Sequence, residues 1–122
     1  MFKRSEKVAE AIHEEISTLL INGVKDPRVG LVTITSVKLT DDLRHATVYF
    51  SVRGADAERK DGEAGINSAK GYLRREVGKL LRMRFVPEII FKYDDSVAYG
   101  NHIENILKQI HETEEGNAEK DK

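Results

Sequence analysis

The stretch Asn67-Ser68-Ala69-Lys70-Gly71-Tyr72-Leu73-Arg74-Arg75-Glu76-Val77-Gly78-Lys79-Leu80-Leu81-Arg82 reads as a helical run, apolar on one side and basic on the other. At about 100° per residue, Leu73, Val77, Leu80 and Leu81 share one sector, while Arg74, Arg75, Lys79 and Arg82 take the opposite one. Gly71 and Gly78 lie among the charges. Glycine costs a helix interior about 1 kcal/mol relative to alanine, so each needs a reason. Without a Cβ, the peptide groups between the arginines are open to close approach by a phosphate backbone. A face that merely solvates would carry opposite charges at i,i+4, whereas only Glu76 lies within the run, off the stripe. A like-charge stripe repels itself unless a polyanion meets it. That favours nucleic acid, RNA ahead of DNA, because no helix-turn-helix or zinc pattern is visible.

Outward from this run, the periodicity predicts a short series of elements. Val8, Ala9, Ile12, Ile16, Leu19 and Leu20 recur at helical spacing from about Ser5 to Ile21, and Asn22-Gly23 supplies a left-handed stop. Asp26-Pro27-Arg28-Val29-Gly30 is a turn before a strand over Leu31 to Leu39, whose two faces are both partly apolar. Thr40-Asp41-Asp42 turns the chain into Ala46 to Val52, where Ala46, Val48, Phe50 and Val52 alternate onto one covered face. Arg53 to Gly62 is expected as a loop with a frayed helical start. The next helix begins near Glu63, breaks at Ala69-Lys70-Gly71 and runs to about Arg84, before Val86-Pro87 ends it. Glu88 to Tyr93 is a third strand. Asp94-Asp95-Ser96 caps a last helix bearing Val97, Ile103, Ile106, Leu107 and Ile110. The order is α-β-β-α-kink-α-β-α: an α+β domain, a three-stranded sheet with helices on one face. One domain is expected over residues 1–112, with an acidic disordered tail over 113–122.

With 122 residues and no cysteine, the chain suits one domain without disulfides or thiolate metal sites. A charged N-terminus and the lack of any run able to span a bilayer predict a soluble cytoplasmic protein, with no membrane partner. The net charge of −1 hides an asymmetry, since Lys70 to Lys92 holds seven basic residues against Glu76 and Glu88. His13, His45, His102 and His111 are scattered and match no metal spacing, so neither metal nor cofactor is expected. Asp41-Asp42 and Asp94-Asp95 read as turn and cap residues rather than acid–base pairs. The serines lack a nucleophile elbow and the glycines form no phosphate loop, so no catalysis and no small-molecule substrate are expected. Among Tyr49, Tyr72, Phe85, Phe91, Tyr93 and Tyr99, Tyr72 beside the basic face is the candidate for base stacking.

Several blocks, weak singly, are strong together in this order. They are Arg4 with Val8-Ala9, Asp26-Pro27-Arg28-Val29-Gly30, Asp42-Leu43-Arg44-His45-Ala46, Val48-Tyr49-Phe50-Ser51-Val52, Asn67-Ser68-Ala69-Lys70-Gly71, Leu73-Arg74-Arg75-Glu76, Phe85-Val86-Pro87-Glu88 and Asp94-Asp95-Ser96. With these the chain resembles the ribosome-binding factor A family of bacterial assembly factors over Lys3 to Ile110. The resemblance implies a type II KH-like fold in which an Ala-x-Gly kink replaces the usual Gly-x-x-Gly loop, a mark that Ala69-Lys70-Gly71 fits. It implies binding to the free 30S subunit, maturation of 16S rRNA near its 5′ end, and importance for growth in the cold. The expected RNA-binding set is Ser68, Ala69, Lys70, Gly71, Arg74, Arg75, Gly78, Lys79 and Arg82, with Arg4, Arg28 and Arg44 as secondary candidates. A monomer is expected. A general KH-like module for other RNAs, or a protein adaptor with a basic face, are the competing readings.

Overall fold

A computed structural model of the chain describes residues 3–82, 84–96, 107 and 110. Helix α1 (Arg4–Asn22) leads through a 3-10 turn (Pro27–Leu31) into β1 (Val32–Leu39) and β2 (His45–Val52). Helices α2 (Asp56–Ser68) and α3 (Lys70–Leu81) follow, then β3 (Glu88–Tyr93). The sheet order is β1-β2-β3, with β1 antiparallel and β3 parallel to β2. Parallel pairing of β2 and β3 requires a crossover, and the α2–α3 pair supplies it.

Core side chains come from one sheet face and three helices. Ile12, Ile16 and Leu20 of α1, Ile66 of α2, and Leu73 and Val77 of α3 pack with Ala46, Val48, Phe50 and Val52 of β2 and Ile89 of β3. Phe50 meets Phe91 and Tyr93 edge-on, at centroid distances of 6.4 and 5.8 Å. The ambiguous faces of β1 have a simple cause. Its register shifts between Ile34 and Ser36, so Val32 and Ile34, then Val37 and Leu39, all stand opposite core-facing residues of β2. His13 of α1 donates through Nε2 to the Ile34 carbonyl at this bulge, at 3.0 Å.

Four expectations need correction. The segment taken as a loop over Arg53 to Gly62 is helical from Asp56. Glu58 accepts from the Ala55 amide, and Gly62 and Gly65 bring α2 so close that a Cβ on either would lie under 3.0 Å from Val52 or Arg28. The first strand begins at Val32, because Leu31 closes the 3-10 turn. Gly23 is not left-handed: its φ is −109°, and its lack of a Cβ accommodates the Tyr72 hydroxyl, which a side chain there would meet at 2.8 Å. Helix α3 stops at Leu81, with Arg82 left-handed at φ 49°, and the chain doubles back to bury Pro87. At the chain's end, Asp95 and Ser96 are helical and Asp94 accepts from the Ser96 amide, as a cap should. Leu107 and Ile110 are helical but exposed, while residues 97–106 of the expected last helix, the domain boundary at 112 and the tail over 113–122 lie outside the described residues.

Candidate nucleic-acid interface

The break between α2 and α3 is a one-residue kink at Ala69, which keeps helical backbone angles (φ −84°, ψ −5°). Leu73 donates to the Ala69 carbonyl, and the Ala69 side chain sits in the core. It therefore fixes the kink from below and offers a partner only backbone. No side chain caps the start of α3, whose first amides carry the positive end of the helix dipole.

The two glycines of the stripe differ in kind. A Cβ on Gly78 would come within 2.5 Å of Val86 Cγ2, so Gly78 lets the returning chain pack on α3 and is not an opening for phosphate. Gly71 is exposed, its φ is not positive, and a Cβ there would meet nothing within 4 Å. Neither packing nor backbone geometry explains glycine at this position.

The basic residues separate likewise. Arg74 is turned inward: it donates to the carbonyls of Pro87 and Val86 at 3.2 and 3.1 Å and pairs with Glu88 at 3.1 Å. It ties the strand-leading loop to α3, and its charge is already engaged. Lys79 is exposed and reaches Glu76 at 3.4 Å, so that acid touches the stripe after all. Arg75 and Arg82 are exposed, as is Ser68, while Lys70 is half-buried. Leu80, placed by periodicity in the core sector, is 56% exposed. The buried sector is centred on Leu73 and Val77 and takes in Ala69 instead.

Of the secondary candidates, Arg28 is brought to the kink. Gly65 of α2 packs on its Cβ, and its guanidinium lies 3.5 Å from Ser68 Oγ. Asp26 accepts from the Nε and Nη2 edge of that guanidinium, and these bonds, with one from the Arg28 amide, depress the Asp26 carboxyl below its ordinary value of 3.8. Arg44 and Arg4 belong to the opposite end of the sheet. Ser5 of α1 donates to Asp41 in the β1–β2 turn that also carries Arg44. The Arg44 carbonyl accepts from the Glu88 amide, which leads from there to Arg74.

The aromatic residue chosen from sequence is misplaced. Tyr72 is half-buried against α1, with its hydroxyl over Gly23. Phe85 is 74% exposed and lines an open groove of about 340 Å³ with Gly71, Arg74, Arg75, Arg84 and Val86. Arg84, absent from the sequence-based set, has its guanidinium carbon 5.5 Å from the Phe85 ring centre. Among the described residues no group of three His, Cys, Asp or Glu side chains could hold a metal, and no helix is long and apolar enough to cross a membrane.

Helices on one face of a three-stranded mixed sheet, with an Ala-x-Gly kink inside the crossover, define a type II KH-like domain. The ribosome-binding factor A family matches residues 4–107. The ribosome-binding factor A of Citrifermentans bemidjiense is 63% identical over 116 residues, which covers 95% of this chain and 98% of that protein. The crystal structure of ribosome-binding factor A from Thermus thermophilus shares the fold, with a TM-score of 0.63 at 20% identity over 73% of this chain and 94% of that one. A homology model of the Thermus thermophilus protein, fitted into a cryo-EM map of a 30S complex, has a TM-score of 0.56 at 24% identity and covers 78% of this chain and 97% of that one. The chain belongs to the ribosome-binding factor A family.

Proposed function

We propose that this chain is a non-catalytic, monomeric assembly factor of the cytoplasm. It binds the free 30S subunit through 16S rRNA and assists maturation of that rRNA near its 5′ end, most importantly in the cold. Family membership and the 30S complex of the Thermus protein support the subunit as partner. The observation that carries the contact surface is Gly71. It is an exposed glycine in the first turn of a helix, without packing or conformational cause, beside Arg75 and an uncapped helix start. Such a site accepts phosphate at close range. Arg75, Lys79 and Arg82 extend it along α3 as phosphate contacts, which position the protein without reading sequence. The protein then acts by favouring one rRNA conformation, a shift of population that needs no cofactor.

The test is co-sedimentation with purified 30S, 50S and 70S particles across a salt series. The parent chain is expected with 30S alone. Replacing Arg75, Lys79 and Arg82 together by glutamine should weaken binding and make the log-log salt slope shallower by roughly 2, at about 0.7 per phosphate contact. Unchanged affinity and slope would remove the α3 stripe from the interface. Equal binding to unrelated RNAs would favour a general RNA module, and binding that survives nuclease treatment of the particle would favour a protein adaptor.

A further inference from the structure

We propose that the groove between α3 and the Arg84–Val86 loop is a subsite for one unpaired nucleotide of a single-stranded RNA segment, with its base stacked on Phe85. The inference rests on the reading of this chain as an RNA-binding protein and specifies how one nucleotide is held. Phe85 projects 74% of its surface into solvent, whereas the other phenylalanines among the described residues, Phe50 and Phe91, are buried wholly or partly. It does so within a concavity whose other walls are the Gly71 backbone and three arginines. An apolar protein partner would leave those guanidiniums facing an apolar surface, whereas a nucleotide satisfies both halves. Its base offers a π-face to the ring, and its phosphates meet Arg75 and Arg84. Arg84 lies at cation–π distance from Phe85, so a base that takes the ring face displaces the guanidinium, which stays within reach of that nucleotide's phosphate. The volume of about 340 Å³ suits one nucleotide rather than a duplex. Gly71 forms the floor, where a side chain would narrow the groove without clashing with the protein itself. Stacking tolerates any base, so this subsite selects unpaired over paired RNA, not one sequence over another.

The chain contains no tryptophan, so Phe85→Trp in the full-length protein creates a single fluorescent reporter at the site. Titration with single-stranded hexa-adenylate should quench and shift its emission, and a matched RNA duplex should not. In parallel, 30S binding should be retained by Phe85→Tyr and weakened roughly five-fold or more by Phe85→Leu, the lower end of what one stacked base contributes. The salt slope should stay the same, because no charge is lost. Leucine keeps the apolar contact and loses only the aromatic face, and at this exposure it does not threaten folding. Full affinity in Phe85→Leu overturns stacking. If the glutamine triple variant still loses 30S binding, RNA recognition by α3 survives that failure. Emission that responds to 30S particles but not to hexa-adenylate also overturns the proposal, since the contact is then not with an unpaired nucleotide.

Discussion

Arg74 and Arg75 are adjacent in sequence and face different partners. Arg74 spends its guanidinium on two carbonyls and Glu88, and Arg75 points to solvent. Arg74→Gln should therefore cost about 1 kcal/mol of stability, the scale of charge-assisted hydrogen bonds at a half-exposed site. Arg75→Gln should stay within about 0.5 kcal/mol of the parent and weaken 30S binding. Urea denaturation of both variants checks this, and equal stability losses would contradict it. Arg82 makes a third case. It occupies the left-handed position after α3, at φ 49°, where glycine is the unstrained choice. Arg82→Gly should raise stability by up to about 1 kcal/mol while lowering affinity for 30S. Higher stability with weaker 30S binding in Arg82→Gly would assign this strained, exposed position to its charge, and unchanged binding would remove Arg82 from the interface.

Helix α3 allows the same substitution to be tried at two places with opposite sign. Gly71→Ala adds a methyl into open space and should stabilise by up to about 1 kcal/mol through helix propensity. Gly78→Ala drives a Cβ into Val86 and should destabilise by about 1–3 kcal/mol, loosening the loop that leads into β3. Thermal melts of the two variants, with 30S co-sedimentation, separate the roles: Gly71→Ala should lose binding while gaining stability. From sequence these glycines look alike, because periodicity places both on the charged face and says nothing of what returns to lie on it. The same blindness hid the α2 start, where Gly54 and Gly62 suggest a loop until Val52 is seen packed against Gly62. The strands of clean alternation and the kink at Ala69-Lys70-Gly71 were legible, since each is written in local spacing. The bulge in β1 was visible only as a phase conflict between Ile34 and Val37. Arg74's inward turn and Phe85's exposure depend on the course of a loop between elements, which no local period records.

Across the whole molecule, three aspartates sit at the joints between elements, and each is held in its ionised form. Asp26 clasps Arg28 between α1 and β1. Asp42 accepts from Thr40 Oγ1 and the Arg44 amide in the β1–β2 turn. Asp94 leaves β3 bonded to Ser96 and to Thr35 of β1, reaching past the central strand. In each the carboxyl is depressed below its ordinary 3.8: first by the Arg28 side chain, by Thr40 and by Ser96 respectively, with backbone amides adding to it. A lowered folded-state value means that the unfolded chain binds protons more readily. The stabilisation is thus fully present above about 3.8 and is lost as pH falls through the folded-state values. Stability measured by urea midpoint should be level from pH 7 to about 5, then decline below about pH 4, modestly because all three carboxylates are open to solvent. Asp94→Asn keeps the shape of the side chain and removes one of the three titrations, so it should lower the midpoint at pH 7 and flatten the acid limb. A parent midpoint that holds unchanged to pH 3, or an Asp94→Asn limb as steep as the parent's, would show that these carboxylates do not couple the joints to the fold.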